Sequence, residues 1–249
     1  MLKNFSASKK PLVSVIIRTK NERRTIGKLL QILVNQIFQN FEIILVDDNS
    51  IDKTLDIVRR YSKKLSIKIV KLKPGEFSHP YSINLGISKA KGRYACLLVG
   101  HSLPISETWL ADGLANFKNP QVAAVSGYYS ISPVGYFFPK LGRLLILPFL
   151  KIRKDFFPWM TNTNALIRKN LWKKYPFDEK LPECEDYDWG REMITRGYNI
   201  IKDPKFNVFH SLFLAGRPGF FRRLPRWKRI CAMIGKRKRP RKSFTRLKI

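Results

Sequence analysis

The fold of this chain is decided by the stretch Glu42-Ile43-Ile44-Leu45-Val46-Asp47-Asp48-Asn49-Ser50. Its apolar run, Ile43 to Val46, is short and continuous, which is typical of a strand buried on both faces in a parallel sheet covered by helices. Two carboxylates, Asp47 and Asp48, follow at once. Because ligands of open α/β sheets bind just beyond the carboxyl ends of the strands, the pair is predicted to line the rim of a crevice.

The same polar residues have a second interpretation. They can form only a turn and the start of the next helix, with Ser50 or Asp52 as its N-cap. This stretch alone does not choose between a binding rim and a turn, so the rest of the chain is needed.

Strand and helix patterns alternate on both sides of the stretch. The predicted elements of the first half are strands at Val13–Ile17, Ile43–Val46 and Ile67–Leu72, with helices through Ile26–Ile37 and Leu55–Tyr61 between them. A β-α-β-α-β order predicts a right-handed, parallel, doubly wound sheet, so the fold class is α/β.

The second half continues the alternation. The predicted elements are a helix ending near Ala90 with Gly92 as its terminator, a strand at Tyr94–Val99, a helix through Trp109–Phe117, strands at Val122–Tyr129 and Asn162–Ile167, a helix opening at Glu183–Trp189, and a strand at Ile200–Ile201. We expect an N-terminal arm at 1–10, a main domain at 11–216 with halves 11–104 and 105–216, and a separate tail at 217–249.

The charge of the chain is strongly basic and unevenly distributed. The 48 Lys and Arg residues exceed the 18 Asp and Glu residues by 30, and 14 of the basic residues with no acidic residue lie in 217–249. Such a balance predicts an anionic partner. Pro225 could start a basic amphipathic helix whose apolar face would lie on an anionic membrane; the residues of that face are Trp227, Ile230, Cys231 and Ile234. The run Lys236–Arg241 is predicted to be disordered.

The compartment is predicted from the cysteines and the apolar segments. Three cysteines without a close pair or a metal-binding spacing fit a reducing compartment. Met1 to Lys10 contain no signal-peptide core, and no uncharged apolar span is long enough to cross a membrane. The apolar stretch Pro133–Leu150 could lie in a membrane interface, line an acceptor groove, or form a buried loop and helix. We expect a cytoplasmic protein, peripheral on the inner face of the membrane.

Several segments resemble one family in both order and spacing. These are Val13–Asn21, Val46–Ser50, Asn84–Gly86 with Ala90–Gly92, Leu98–Pro104 with Trp109, and Glu185–Asp186. Together they are similar to the inverting family-2 glycosyltransferases of the GT-A fold, over roughly residues 11–212. The resemblance implies transfer of a sugar from a UDP-type or dTDP-type donor to a hydroxyl of a glycan or lipid-linked acceptor, by a single inverting displacement, in polysaccharide or glycolipid synthesis.

The resemblance also implies roles for individual residues. The residues expected at the donor are Arg18, Thr19 and Glu22 in the first loop, Asp48 at the base, Asn84 near the ribose or pyrophosphate, and Gly100. Asp186 matches the catalytic base, and the residues expected on the acceptor side are Glu185, Trp189 and Asn164. His79, which precedes Pro80, is expected to be a packing or loop residue.

One departure from the family pattern concerns the metal. The family's Asp-X-Asp motif aligns with Val99-Gly100-His101, so neither aspartate is present. Rhamnosyltransferase-like members also have a histidine there, which favours a working variant. A divalent cation, Mn²⁺ or Mg²⁺, could be held by His101 and His210 together with the diphosphate, although imidazole suits Mg²⁺ poorly. Alternatively, a histidine could hydrogen-bond the diphosphate without a metal.

Three other functions compete with sugar transfer. A nucleic-acid binder would explain the charge, but no RNA-binding aromatic motif or zinc spacing is present, so nucleic acid is not the expected partner. A nucleotidyltransferase usually opens with a glycine-rich loop, and Val13–Asn21 contains no glycine. The missing Asp-X-Asp motif keeps an inactive, scaffold-like family member as the alternative.

Overall fold

The structure, a computed structural model, describes residues 10–127, 129–130, 153–155, 160–210 and 220–241, and every structural statement below refers to these residues. The strands are β1 (Val13–Thr19), β2 (Phe41–Asp47), β3 (Ile67–Lys71), β4 (Tyr94–Val99), β5 (Ser102–Pro104), β6 (Val122–Ser126), β7 (Tyr129–Ser130), β8 (Arg153–Asp155), β9 (Asn164–Arg168), β10 (Asn199–Lys202) and β11 (Val208–His210). The helices are α1 (Ile26–Val34), α2 (Thr54–Tyr61), α3 (His79–Ser88), α4 (Trp109–Ala115), α5 (Lys169–Lys174), α6 (Glu185–Thr195) and α7 (Phe220–Gly235), with a 3-10 turn at Asn116–Lys118.

Eight strands form a large sheet in the order β3-β2-β1-β4-β9-β6-β10-β8. Six of them run parallel, and β9 and β8 run against them. A small second sheet has the order β5-β11-β7. The prediction of an α/β fold with a mostly parallel, helix-flanked sheet is therefore confirmed.

The stretch at 42–50 is buried on both faces, as its composition predicts. Ile43 and Leu45 pack in the hydrophobic cluster that contains α1, whereas Ile44 and Val46 pack in the cluster that contains α3. Alternate residues of β2 thus pack against helices on opposite faces of the sheet, and for this reason the run is apolar at every position.

Four local predictions are wrong. Ile37 lies beyond the end of α1 and is 64% exposed. Gly92 does not end α3, which stops at Ser88; a Cβ on Gly92 would lie 2.6 Å from the Ser14 amide nitrogen, so close strand packing requires glycine there. Pro225 lies inside α7 rather than at its start. The predicted strand 122–129 divides into β6 and β7, which belong to different sheets.

The C-terminal segment differs most from its prediction. Ile230 and Ile234 of α7 are buried against Leu181, so the apolar face of this helix packs on the protein. Residues 236–241 are ordered by ion pairs, contrary to the predicted disorder. The predicted apolar stretch Pro133–Leu150 lies outside the described residues. Within the described part of the chain, no helix combines the length and apolar character needed to cross a membrane.

Candidate active site

The carboxyl ends of β1, β2 and β4 meet at one edge of the large sheet. Thr19 is level with Asp47, and Arg18 is level with Val99. Backbone hydrogen bonds continue past the strand ends, because the Asp48 amide donates to the Thr19 carbonyl over 2.9 Å and the Gly100 amide donates to the Arg18 carbonyl over 3.0 Å. The loops after the three strands are therefore held together at the edge where parallel sheets bind ligands.

The two carboxylates that follow β2 have different tasks. Asp47 accepts hydrogen bonds from the Ser50 amide at 3.0 Å and the Ser50 hydroxyl at 2.5 Å, so it holds the turn. Asp48 pairs with Lys20 over 2.7 Å. Asp52, not Ser50, accepts from the Thr54 amide at the start of α2. The turn interpretation therefore applies to Asp47, whereas a binding role for Asp48 stays a prediction.

A carboxylate and two histidines form a buried polar cluster beside this turn. Glu22 Oε1 lies 2.7 Å from His101 Nδ1, and because a carboxylate oxygen accepts, Nδ1 carries the proton. The rings of His101 and His210 are 4.8 Å apart between centroids, since β5 pairs with β11 directly after His101. Burial, and to a smaller extent the neighbouring His101, lowers the pKa of His210 to about 3, so His210 is neutral at physiological pH.

Glycine is required at position 100 by this cluster. A Cβ there would lie 2.8 Å from Glu22 Cγ and 3.2 Å from Thr19 Oγ1. The Thr19 hydroxyl is buried and has no hydrogen-bond partner within the described part of the chain. A buried hydroxyl without a partner is uncommon in folded proteins, so this one is a candidate ligand-binding group.

Arg18 connects the sheet edge to the start of α6. Its Nη1 donates to His79 Nδ1 and its Nη2 donates to Asn162 Oδ1, both over 2.8 Å. Asn162 in turn donates its side-chain amide to Glu185 Oε1 and its backbone amide to Asp186 Oδ2, the latter over 3.0 Å. One continuous path of hydrogen bonds therefore joins the end of β1 to the carboxylates of α6.

The carboxylate pair is electrostatically perturbed. Burial, followed by the charge of Asp186, raises the pKa of Glu185 to about 7, against an opposing effect of Arg18. Burial also raises the pKa of Asp186, against hydrogen bonds from the amides of Asn162 and Tyr187. Glu185 is fully enclosed, whereas Asp186 is partly exposed. A carboxylate with a raised pKa can take a proton from a hydroxyl bound within hydrogen-bond reach.

Comparison with known proteins decides the family. The model of the family described as glycosyl transferase family 2 matches residues 14–176, more than half of the chain. This chain belongs to glycosyl transferase family 2.

Curated relatives of this family-2 chain are distant in sequence. A dolichyl N-acetyl-alpha-D-glucosaminyl phosphate 3-beta-D-2,3-diacetamido-2,3-dideoxy-beta-D-glucuronosyltransferase of Methanococcus voltae is 25% identical over 81% of this chain and 66% of its own length. A probable glycosyltransferase of Bacillus subtilis, YdaM, is 28% identical over 76% of this chain and 48% of its own length. The chain thus spans about half to two thirds of the relatives that it matches over most of its length.

Solved structures show the fold. A mannosyltransferase of Pyrobaculum calidifontis, PcManGT, in complex with GDP-Man and Mn²⁺, has a TM-score of 0.67 at 19% identity and covers 89% of this chain and 61% of its own. Residues 1–349 of Staphylococcus aureus TarS in complex with UDP have a TM-score of 0.62 at 19% identity, over 89% and 64% of the two chains. The GT-A fold expected from the resemblance is confirmed.

Asn84, which the family resemblance places at the donor, has a structural task in this chain. Asn84 Nδ2 donates to the Phe177 carbonyl over 2.9 Å and to Glu179 over 2.8 Å, and Oδ1 accepts from Trp172 Nε1 over 2.8 Å and from the Phe177 amide over 3.2 Å. Both donors and both lone pairs are occupied by protein groups. Protein groups thus occupy the whole Asn84 side chain in this structure, and its contact with the donor stays a prediction.

Two residues predicted on the acceptor side also lie in the interior. Trp189 is fully buried, packs near Phe177 and donates its indole N–H to the Tyr175 carbonyl over 2.7 Å. Asn164 is fully buried in β9 and donates to the Phe206 carbonyl over 2.8 Å. Both side chains tie core elements together, and an acceptor-side role for them stays a prediction.

The remaining predicted residues lie close to one another, and two partners were missed. Asn162 was predicted only as the start of a strand, and His79 as a packing residue, yet both contact Arg18. The sequence does not mark Asn162, because asparagine is common in turns and loops. Nothing in the sequence marks His79, which is 61 residues from Arg18.

The donor set for a metal ion is partial. The described residues contain no group of three or more His, Cys, Asp or Glu side chains that could hold an ion. His101 and His210 offer two imidazole nitrogens, and the Glu22 carboxylate on His101 Nδ1 is the arrangement that orients metal-binding histidines. These residues fit an ion such as Mn²⁺ that takes its other ligands from a diphosphate, and they suit Mg²⁺ poorly.

Proposed function

We propose that this family-2 chain transfers a sugar from a nucleoside-diphosphate sugar to a hydroxyl of a glycan or lipid-linked acceptor, with inversion. The observation that carries the proposal is the hydrogen-bond path from Arg18 through Asn162 to Glu185 and Asp186. This path connects two places: the sheet edge at which α/β folds bind ligands, and a carboxylate pair with raised pKa values. The names of two similar proteins support the two substrate classes: a dolichyl phosphate glycosyltransferase supports a lipid-linked acceptor, and TarS in complex with UDP supports a nucleotide donor.

The donor is assigned to the edge formed by β1, β2 and β4. Asp48 is proposed to hydrogen-bond the base, and Arg18, Thr19 and Glu22 to line the phosphates and ribose. A UDP-type or dTDP-type donor is proposed, supported by the structural neighbour that binds UDP. The buried Thr19 hydroxyl gives this edge a donor that the described protein groups do not satisfy.

The leaving diphosphate is assigned to the histidine cluster. Departure of the nucleotide develops negative charge on the β-phosphate, which preorganised donors must stabilise. His101, oriented by Glu22, and the neutral His210 would hold a divalent cation or hydrogen-bond the phosphate directly. A bound cation would supply the charge that neutralises the leaving group.

The base is assigned to Asp186. An acceptor hydroxyl is not ionised near neutral pH, so a carboxylate must remove its proton as the new bond forms. Asp186 is the more exposed of the pair, while Glu185 is enclosed and bound to Asn162. One attack on the face opposite the leaving group needs one base, and it inverts the anomeric carbon.

The assignment of the base is tested by Asp186→Asn, which keeps the size of the side chain. We expect transfer to be lost and nucleotide binding to be retained, measured by product formation and by thermal shift with the nucleotide. Asp56→Asn, an exposed aspartate on α2, is the matched control and should behave like wild type. Turnover within a few-fold of wild type in Asp186→Asn would show that another group is the base.

We also propose peripheral attachment to an anionic membrane through 217–249, on the cytoplasmic face. The apolar side of α7 is occupied by the protein, so contact with lipid is assigned to the outward basic side chains, among them Arg226, Lys228 and Arg229. Each such residue near an anionic leaflet contributes about 1 kcal/mol. Sedimentation with vesicles of anionic and of neutral lipid, for wild type and for Lys228→Glu with Arg229→Glu, tests this. Equal binding by both proteins would exclude the outward face.

A further inference from the structure

The six residues 236–241, which we call the strap, alternate in direction. Arg237, Arg239 and Arg241 point inward, whereas Lys236, Lys238 and Pro240 are exposed. Every inward position is an arginine, and both outward cations are lysines. Arginine binds two carboxylates through its planar fork, while lysine remains in water more readily, so the two faces of the strap suit different surroundings.

The inward arginines bind acidic residues of α6 and of the loop before it. Arg239 places Nη2 at 2.5 Å from Asp188 and Nη1 at 2.9 Å from Glu192. Arg241 lies 3.1 Å from Asp188, and its backbone amide donates to Glu192 over 2.9 Å. Arg237 lies 2.8 Å from Asp178, so that loop is tied to the strap as well.

The acids on α6 are fully buried and depend on these partners. Asp188 and Glu192 are both 0% exposed. Burial would raise the pKa of Glu192, but the amide hydrogen bond and the charges of Arg241 and Arg196 lower it below its ordinary value. A buried carboxylate without a partner is strongly destabilising, so the strap fixes the position of the helix face that carries both acids.

The same helix begins with the candidate base. Glu185 and Asp186 are the first two residues of α6, and Asp188 follows Asp186 by two residues. On the core side, Trp189 and Met193 pack in the cluster that contains α3. The first turn of α6 is therefore positioned from two sides, by the core and by the strap.

We propose that the strap is a positioning device for the active site. By binding Asp188 and Glu192, its arginines set the rotation and depth of α6, and thereby hold the Asp186 carboxylate against the Asn162 amide. The inference rests on the proposed function only in taking Asp186 as the base; the positioning of the helix is independent of that assignment. Arg239 and Arg241 each bind both buried acids, and Arg239 is chosen for the test because its side-chain contacts are the shorter, at 2.5 Å to Asp188 and 2.9 Å to Glu192.

The test uses Arg239→Gln in the full-length chain, with Lys238→Gln as the matched control. Both substitutions remove one positive charge, one residue apart, but only Arg239 points inward. We expect Arg239→Gln to speed hydrogen exchange of the α6 amides without changing exchange in β1 and β2. We also expect kcat to fall by about tenfold or more, because a small misplacement of a catalytic group has that effect, with the KM for the donor nearly unchanged. Lys238→Gln should match wild type in the hydrogen exchange of α6, β1 and β2.

Two further variants distinguish a loss of helix positioning from a general loss of folding. Arg239→Lys, which can reach one carboxylate but not both, should recover part of the lost kcat. If Arg239→Gln does not fold, Arg237→Gln provides a milder test, because Arg237 is partly exposed and lies farther from Asp188, at 3.3 Å; it should change α6 exchange and kcat in the same direction.

Two results would overturn the inference. Unchanged exchange of α6 in Arg239→Gln would show that the strap does not hold the helix, whatever the enzyme does. Faster exchange with unchanged kcat would show that the strap serves stability alone. If wild type transfers no sugar from any donor, the proposed function fails, while the exchange experiment still decides whether the strap positions α6.

Discussion

Replacing Asn84 by alanine tests whether this residue stabilises the fold or binds the donor nucleotide. The family pattern assigns this position to the nucleotide, whereas its four hydrogen bonds all go to residues 172–179. Three of the four partner groups, the Trp172 indole N–H and the amide and carbonyl of Phe177, belong to buried residues, while Glu179 is exposed and can bind water instead. Asn84→Ala therefore leaves three buried polar groups without partners.

The expected loss of stability follows from those three groups. Each buried polar group left without a partner costs about 1–3 kcal/mol, and water entering the space of the lost amide recovers part of that. We expect unfolding free energy to fall by about 3–5 kcal/mol. At about 2–4 °C per kcal/mol for a chain of this size, the midpoint of thermal unfolding should fall by about 6–20 °C.

The assay combines urea unfolding with nucleotide titration of the folded protein. Asn35→Ala, an exposed asparagine at the end of α1, is the control and should lower stability by less than about 0.5 kcal/mol. Nucleotide affinity should be unchanged in both variants. A stable Asn84→Ala protein that has lost nucleotide binding would refute the structural reasoning and restore the family role.

Four further predictions concern the site. Gly100→Ala should displace Glu22, cost about 1–3 kcal/mol of stability and weaken any Mn²⁺-dependent nucleotide shift, as read by thermal unfolding with and without the ion. In the folded state Glu185 keeps its proton up to about pH 7, whereas the unfolded chain loses that proton above about pH 4.5. The free energy of unfolding of wild type should therefore fall by up to about 1.4 kcal/mol per pH unit between these two values, and Glu185→Gln should remove this fall. His210 stays neutral in the folded state, whereas the same histidine in the unfolded chain gains a proton below about pH 6.5. The free energy of unfolding of wild type should therefore also fall by up to about 1.4 kcal/mol per pH unit as the pH drops from about 6.5 to about 3, and His210→Gln should remove this fall. Urea unfolding from about pH 3 to about pH 7 checks both variants. Asn162→Ala should lower kcat by about 10- to 100-fold with little change in the KM for the donor, as steady-state kinetics would measure, and an unchanged kcat would contradict the hydrogen-bond path as a catalytic feature.

The sheet could be predicted because local composition determines it. The run Ile43–Val46 must be apolar at every position when helices cover both faces, and the carboxylates after it mark the strand end. The same reasoning failed at Ile37, whose apolar side chain continues the spacing of α1 although the helix has already ended. Periodicity identifies an element but not its last turn.

The tasks of individual polar residues could be predicted only in part. Asn84 and Trp189 match the family's pattern, yet their partners decide what they do, and the nearest partner of Asn84 is 88 residues away. The strap could not be predicted for the same reason. A run of like charges is typical of a disordered tail, and only its acidic partners on α6 show that it is ordered. Arg239 lies 51 residues from Asp188, so nothing local marks the pair.

The central claim is that the edge of β1, β2 and β4 binds a nucleotide while Asp186 acts on the acceptor. The most direct measurement is a thermal-shift titration with UDP, dTDP, GDP and CDP, with and without Mn²⁺, for wild type, Asp48→Asn and Asp186→Asn. At about 100 times Kd, the preferred nucleotide should stabilise wild type by about 2.7 kcal/mol. We predict a shift for one nucleotide that Asp186→Asn keeps and Asp48→Asn loses. Equal shifts for all four nucleotides that fade with added salt, in all three proteins, would contradict the account and favour a scaffold or a charge-driven binder.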